Sequence, residues 1–158
     1  MSKLQIIWML LCHKWLVFIA GRKIGVTLWR LLIHDLSKLT PTEFSYHTGF
    51  YGEIGRPTER VCAWIHHQNH NPHHWEYWIP RSDHHLPSRD FPINEPIPMP
   101  DWAIKEMVAD WLAARRSLCG EWPTKHTWPW LDKHYAKIRV HKETRKKINI
   151  LLRKLNLQ

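Results

Sequence analysis

The run "PDWAIKEMVADWLAARRSL", from Pro100, constrains this chain more than any other stretch. Ile104, Met107, Val108, Trp111 and Leu112 recur every three or four residues, the repeat of one face of an α-helix. A strand would scatter them over both faces. Asp101 stands where a cap belongs. The same period returns at Leu28, Leu31 and Leu32, at Ala63, Trp64 and His67, and at Ile148, Leu151, Leu152 and Leu155. No alternating pattern and no internal repeat compete with it. With 158 residues and 44% hydrophobic side chains, one core is the natural outcome. The expected fold is therefore all-α: a single-domain bundle of six to eight helices over residues 1–158.

Punctuation places the helices. The first runs from Leu4 to Ala20 and breaks at Gly21. His13 and Lys14 interrupt it, so it lacks the roughly 18 uninterrupted apolar residues of a membrane span and reads as a buried amphipathic helix. A second helix continues to about Thr40. There Thr40, Pro41 and Glu43 form the pattern of a capping box opening a short helix to Phe50. After "GEIGRPTE" another begins near Pro57, turning Ala63, Trp64 and His67 inward. Asn71 as cap and Pro72 at the first position predict a further helix through "HHWEYW". Six prolines between Pro80 and Pro100 predict a long surface loop beside the histidines. Helices over 128–138 and 143–155 complete the chain.

The net charge is +9 and the pI about 9.7, which draws phosphates, nucleic acid or acidic lipid without choosing among them. Cys12, Cys62 and Cys119 are odd in number and have no CxxC spacing, so a reducing, cytoplasmic setting is expected rather than a disulfide framework.

Histidine is the anomaly. There are 13, and five of them fall between His66 and His74. His34 and Asp35 follow the apolar run "LWRLLI", where a carboxylate is costly unless solvated, hydrogen-bonded or bound to a cation. His13 sits mid-helix among apolar residues, and Asp110 interrupts another apolar helix one turn after Glu106. Singly, these have ordinary readings as a core histidine, a cap or a solvated face. Together they are the imidazoles and carboxylates from which a metal site in a helical bundle is built.

The order His13, His34-Asp35, two histidine groups, Asp110 resembles the HD superfamily of metal-dependent phosphohydrolases. "HKWLV" is similar to the HxxxV of its HD-GYP branch, "HDLSK" to HD-x-x-K, and "HHWE" to His-His-Glu. The GYP tail is absent, which argues against a cyclic-dinucleotide phosphodiesterase. A closer resemblance, from His13 to about Leu152, is to short uncharacterised bacterial and phage proteins sharing "HDLSK…EF", "HHQNHNPHHWEYW", "MP" and "EMVADW". Relative to that pattern "SDHHLPSRDFPINEP", with His84 and His85, looks like an insertion.

The resemblance implies an HD-type bundle with one or two divalent ions (Mn, Fe, Co or Zn). His13, His34, Asp35 and Asp110 would hold one. Asp35 would bridge to a second held by His67 and His73 or His74. Lys38 is the natural partner for a phosphate oxygen, with Arg22, Arg56 and Lys105 as lesser candidates. Glu76 would orient a histidine or carry a proton. The function expected is hydrolysis of a nucleotide or another small phosphorylated metabolite. Two alternatives stand beside it. One is a dinuclear iron oxygenase on the same scaffold. The other, less favoured, is a non-enzymatic single-strand nucleic-acid binder, against which the tryptophans fall mostly on stripes expected to pack in the core.

Overall fold

Helix α1, Lys3–Ile24, opens on a capping box that the sequence reading missed: Ser2 Oγ accepts from the Gln5 amide at 3.3 Å and Ser2 N donates to Gln5 Oε1 at 2.7 Å. The computed structural model describes residues 2–50, 57–81 and 94–158. The expected break at Gly21 does not occur. α1 continues to Ile24 and stops at Gly25, whose φ of 77° is the left-handed conformation glycine adopts freely. Gly21 instead permits a close approach, because a Cβ there would lie 2.5 Å from Leu31 Cδ2 of the next helix.

That helix, α2 (Leu28–Ile33), is shorter than expected. Lys14 of α1 donates to the carbonyls of Leu32 and His34 at 2.8 and 2.7 Å, and Asp35 turns the chain with a φ of 56°. A 3-10 turn, Leu36–Leu39, takes over before Thr40. Only Leu31 of the leucine triplet is buried, while Leu28 and Leu32 face outward.

α3 (Pro41–Phe50) and α4 (Pro57–His70) pack on one another. No capping box joins Thr40 to Glu43: the Thr40 hydroxyl donates back to Ser37 O at 2.7 Å, and Glu43 is buried against two histidines of α4. Asn71 likewise caps nothing downstream. Its Nδ2 donates to Ser37 Oγ at 2.6 Å and to His67 O at 2.8 Å, closing the end of α4, and the expected helix after Pro72 is a turn followed by a 3-10 segment, Trp75–Trp78. Trp64, expected inside, is exposed.

α5 (Asp101–Cys119) is the axis of the bundle. Ala103, Ile104, Met107, Val108, Ala109, Leu112 and Ala113 are buried on it, against Val17 and Ala20 of α1 and Leu31 of α2. Leu131 of α6 (Pro129–His134), followed by a 3-10 turn at Tyr135–Lys137, joins the same core, as do Ile148 and Leu152 of α7 (Lys142–Lys154). Asp101 is not the cap of α5, a place Pro100 takes; its carboxylate pairs with Lys147 of α7 at 2.6 Å. The described residues contain no strand, so the architecture is all-α.

Small residues on α5 bring the helices close and leave little room for indoles. Trp128 alone of the eleven tryptophans is buried, which corrects the expectation that they fill the core. Leu4, Trp8, Leu11 and Trp15 run along the outside of α1. By length and composition α1 could cross a membrane, yet its Ile6, Val17, Ala20 and Gly21 are interior and it packs along α5.

The two ends of the Pro80–Pro100 loop are tied together, Asn94 N donating to Pro80 O and Ile97 N to Trp78 O, both at 2.9 Å. Its middle, with His84 and His85, lies outside the described residues, and so does Arg56.

Candidate metal centre

Helix ends and one tight turn deliver the polar residues to a common point. α1 supplies His13 from its middle, α2 ends on His34 and Asp35, α4 contributes His67 from its last turn, the turn after it His73 and His74, and α5 Asp110. All seven were expected at a site, and all seven converge. The donor atoms of His13, His34, Asp35 and Asp110 lie within 4.8 Å of one another, and so do those of Asp35, His67, His73 and His74. Asp35 belongs to both groups.

Its two oxygens face different partners. Oδ2 is 3.4 Å from His34 Nε2, whereas Oδ1 is 3.4 Å from His73 Nε2 and 3.6 Å from His67 Nε2. Asp110 Oδ1 lies 2.9 Å from His13 Nε2 and 3.8 Å from His34 Nε2. His67 and His74 approach Nε2 to Nε2 at 2.9 Å. Two nitrogens bound at about 2.1 Å to one ion stand roughly 2.9 to 3.4 Å apart for right-angled to tetrahedral geometry, so most of these separations are those of ligands sharing a cation.

The outward ring nitrogens of three of the site's histidines, and of the neighbouring His66, are held by acids. Glu106 Oε1 is 3.0 Å from His34 Nδ1 and 3.4 Å from His73 Nδ1; Glu43 Oε2 is 2.8 Å from His67 Nδ1 and its Oε1 2.6 Å from His66 Nδ1. Glu106 is fully buried and also takes a 2.8 Å hydrogen bond from Arg30 Nε, whose guanidinium lies over Trp102. A carboxylate behind each imidazole fixes which nitrogen carries the proton and aims the other inward. Sequence reasoning left Glu106 and Glu43 out of the site.

The inward atoms lack what the outward ones have. His34 Nε2 and His73 Nε2 are buried without a hydrogen-bond partner among the described residues, and neither Asp35 oxygen accepts a well-aligned hydrogen bond although Lys38 Nζ lies 2.5 Å from Oδ2. Unsatisfied buried groups are costly and rare. Four of them converging on one space fit a cation.

Electrostatics agree with that fit. Burial opposes ionisation of Asp35, but His34 and Lys38 outweigh it and hold the carboxyl well below its usual range. Asp110 is lowered in the same way, against burial, by its hydrogen bond to His13 and by the nearby His34, and Glu106 falls to about 2 against burial through His34 and His73. Burial alone would lower His34, yet Asp35, Asp110 and Glu106 raise it to about 9. Burial and neighbouring imidazoles lower His73 and His74, favouring their neutral forms. Without an ion, the cluster balances its carboxylates with protons on His34 and Lys38.

Lys38, at the foot of α3, and Glu76 line a cavity of about 890 Å³ that opens beside the centre and shares His13, His67, His73, His74 and Asp110 with it. Burial raises the Glu76 carboxyl. Its Oε2 is 4.0 Å from His74 Nδ1, too far for a hydrogen bond, so it orients no histidine. Arg22 and Lys105 do not reach the site. Arg22 is exposed nine residues beyond His13, about 14 Å along the helix, and the Lys105 ammonium lies beside Gly25. A second cation lines the cavity beside Lys38: Arg115, one more residue the sequence did not single out.

Residues 4–154 match a family model described as a family of unknown function, DUF5662. No curated protein and no solved structure matches.

Proposed function

We propose that this chain, which belongs to the DUF5662 family of unknown function, is an HD-type metal-dependent phosphohydrolase of the cytoplasm acting on a small phosphorylated molecule. The observation that carries the reading is the double use of Asp35: one buried carboxylate faces two imidazole-rich donor sets, and members of both sets line a cavity that also holds a lysine. His13, His34, Asp35 and Asp110 would hold one divalent ion, and Asp35, His67, His73 and His74 the second. Bound ions supply Lewis-acid polarisation of a phosphoryl oxygen and a water acidified toward neutral pH.

The remaining chemistry belongs to the side chains. Lys38 keeps its proton despite burial because Asp35 and Asp110 favour the charged form, so it can take a phosphoryl oxygen in a charge-assisted hydrogen bond. In hydrolysis the water oxygen bonds to phosphorus, the ester P–O bond breaks, and the leaving oxygen needs a proton. Glu76, its carboxyl raised by burial and its Oε2 unpartnered, is the group positioned to supply it. Glu43 and Glu106 hold the imidazoles in one tautomer throughout.

A second reading keeps the fold and the ligands but oxidises a small substrate with an iron pair and oxygen. The nitrogen-rich donor set favours it. One experiment separates the two: untagged full-length protein is loaded air-free with Mn, Fe, Co or Zn in turn and assayed on a panel of phosphomonoesters. Phosphate release with a redox-inert ion such as Zn supports hydrolysis. Two bound irons, oxygen consumption and no phosphate release establish the alternative.

A further inference from the structure

The cavity beside the candidate metal centre is much larger than a phosphate group needs, and its wall is specific in character. Beyond the metal donors its lining is mainly apolar and includes Trp64, Trp75, Trp111, Trp130, Met9 and Leu10. Its volume lies in the range that encloses a whole small molecule. It follows α5 from Asp110 to Leu118, a rise of about 12 Å. Beyond Asp110 the α5 side of the wall offers only Arg115 and Ser117 as strongly polar side chains among Trp111, Ala114 and Leu118, so that part of the space suits an apolar, flat body.

Away from Lys38 and the metal donors, Arg115 interrupts the apolar wall. Arg115 Nε donates to Thr127 O at 3.0 Å, which anchors the guanidinium, while Nη1 is buried with no partner among the described residues. No acid among the described residues pairs with Arg115. A fixed guanidinium edge with an unused donor recognises a carboxylate or similar anion. Arg115 stands five residues beyond Asp110 on α5, about 7.5 Å along the axis, and both line the cavity, so a ligand longer than a phosphate can reach from one to the other.

We infer that the substrate is an aryl phosphomonoester carrying a second anionic group, with its ring between the cavity tryptophans, its phosphate at Lys38 and the metal centre, and its far anion on Arg115. Arg115 is then a specificity-determining residue. The inference rests on the phosphohydrolase reading for the identity of the first anion, and its test is a binding measurement that needs no turnover.

Three non-hydrolysable probes are titrated against the Zn-loaded full-length protein, followed by tryptophan emission: methylphosphonate, benzylphosphonate and 4-carboxybenzylphosphonate. Each step should tighten binding by about tenfold, the first from ring burial and the second from a charge-assisted hydrogen bond. Arg115→Gln should erase the second step and leave the first. Trp64→Ala, at a half-exposed position edge-on to His74, should shrink the first while the protein keeps its zinc. Equal affinity for all three probes overturns the inference, as does a carboxylate advantage that survives Arg115→Gln. If Arg115→Gln does not fold by circular dichroism, the ladder in the parent and in Trp64→Ala decides alone. Tight, laddered binding with no phosphate release from 4-carboxyphenyl phosphate upholds the ligand class and removes the hydrolysis reading instead.

Discussion

His34 Nδ1 lies 3.0 Å from Glu106 Oε1, and both side chains are sealed from solvent. The same oxygen lies 3.4 Å from His73 Nδ1, so one acid sets the orientation of an imidazole in each donor group. Glu106→Gln keeps the shape and removes the charge. It should lower affinity for divalent metal by about 10- to 100-fold while the far-UV spectrum stays helical. Competition with a chromophoric chelator measures it, and unchanged affinity would show that the two rings are held by packing alone.

Asp35 tests whether the two donor sets are one site. Asparagine tolerates the left-handed backbone at φ 56°, whereas alanine adds about 1 to 2 kcal/mol of strain there. Both Asp35→Asn and Asp35→Ala should lose essentially all bound metal, and only the alanine variant should carry the extra backbone penalty in a denaturation curve. Retention of one full metal equivalent in Asp35→Asn would mean that the sets act independently.

His34 gives the metal-free protein a pH dependence with a definite sign. Its carboxylate neighbours raise it against burial from 6.5 to about 9, so the stability it contributes is complete below pH 6.5 and is lost as pH rises through 9. The urea midpoint of the metal-free protein should fall over that window. Metal binding at pH 7.5 should release about one proton from this ring, read from calorimetric heats in buffers of different ionisation enthalpy. Heats independent of buffer would show His34 already neutral.

Lys38 separates binding of the ion from handling of the substrate. Its Nζ pairs with Asp35 at 2.5 Å and cannot ligate a metal while protonated. Lys38→Met should keep its metal and lose phosphate release from a phosphomonoester by about 100-fold. Parent-like turnover in this variant would withdraw the phosphate role from Lys38.

The sequence made the inner groups of the site readable because histidine and aspartate are out of place on apolar helices, as His13 and Asp110 are. It hid the outer ones. Glu106 looks like any helix-forming, solvated glutamate, and beyond the face it shares with Asp110 its signal is Ala103 and Ala109 one turn to either side, small enough to admit a neighbouring ring. Glu43 was misread because the Thr-Pro-x-Glu pattern is also that of a helix start. α5 could be drawn correctly from its apolar stripe. The early end of α2 could not, since Lys14, which takes its last carbonyls, comes from another helix.

Gly21 links this chemistry to inheritance. A methyl group at that position would overlap the end of the Leu31 side chain, a buried core residue that would have to shift, so the close approach of α1, which carries His13, to α2, which ends in His34-Asp35, depends on an absent side chain. Positions 21 and 31 should therefore change as a couple among descendants of this fold: an alanine or serine at 21 should accompany a valine or alanine at 31, and a chain bearing the larger residue at both should be missing.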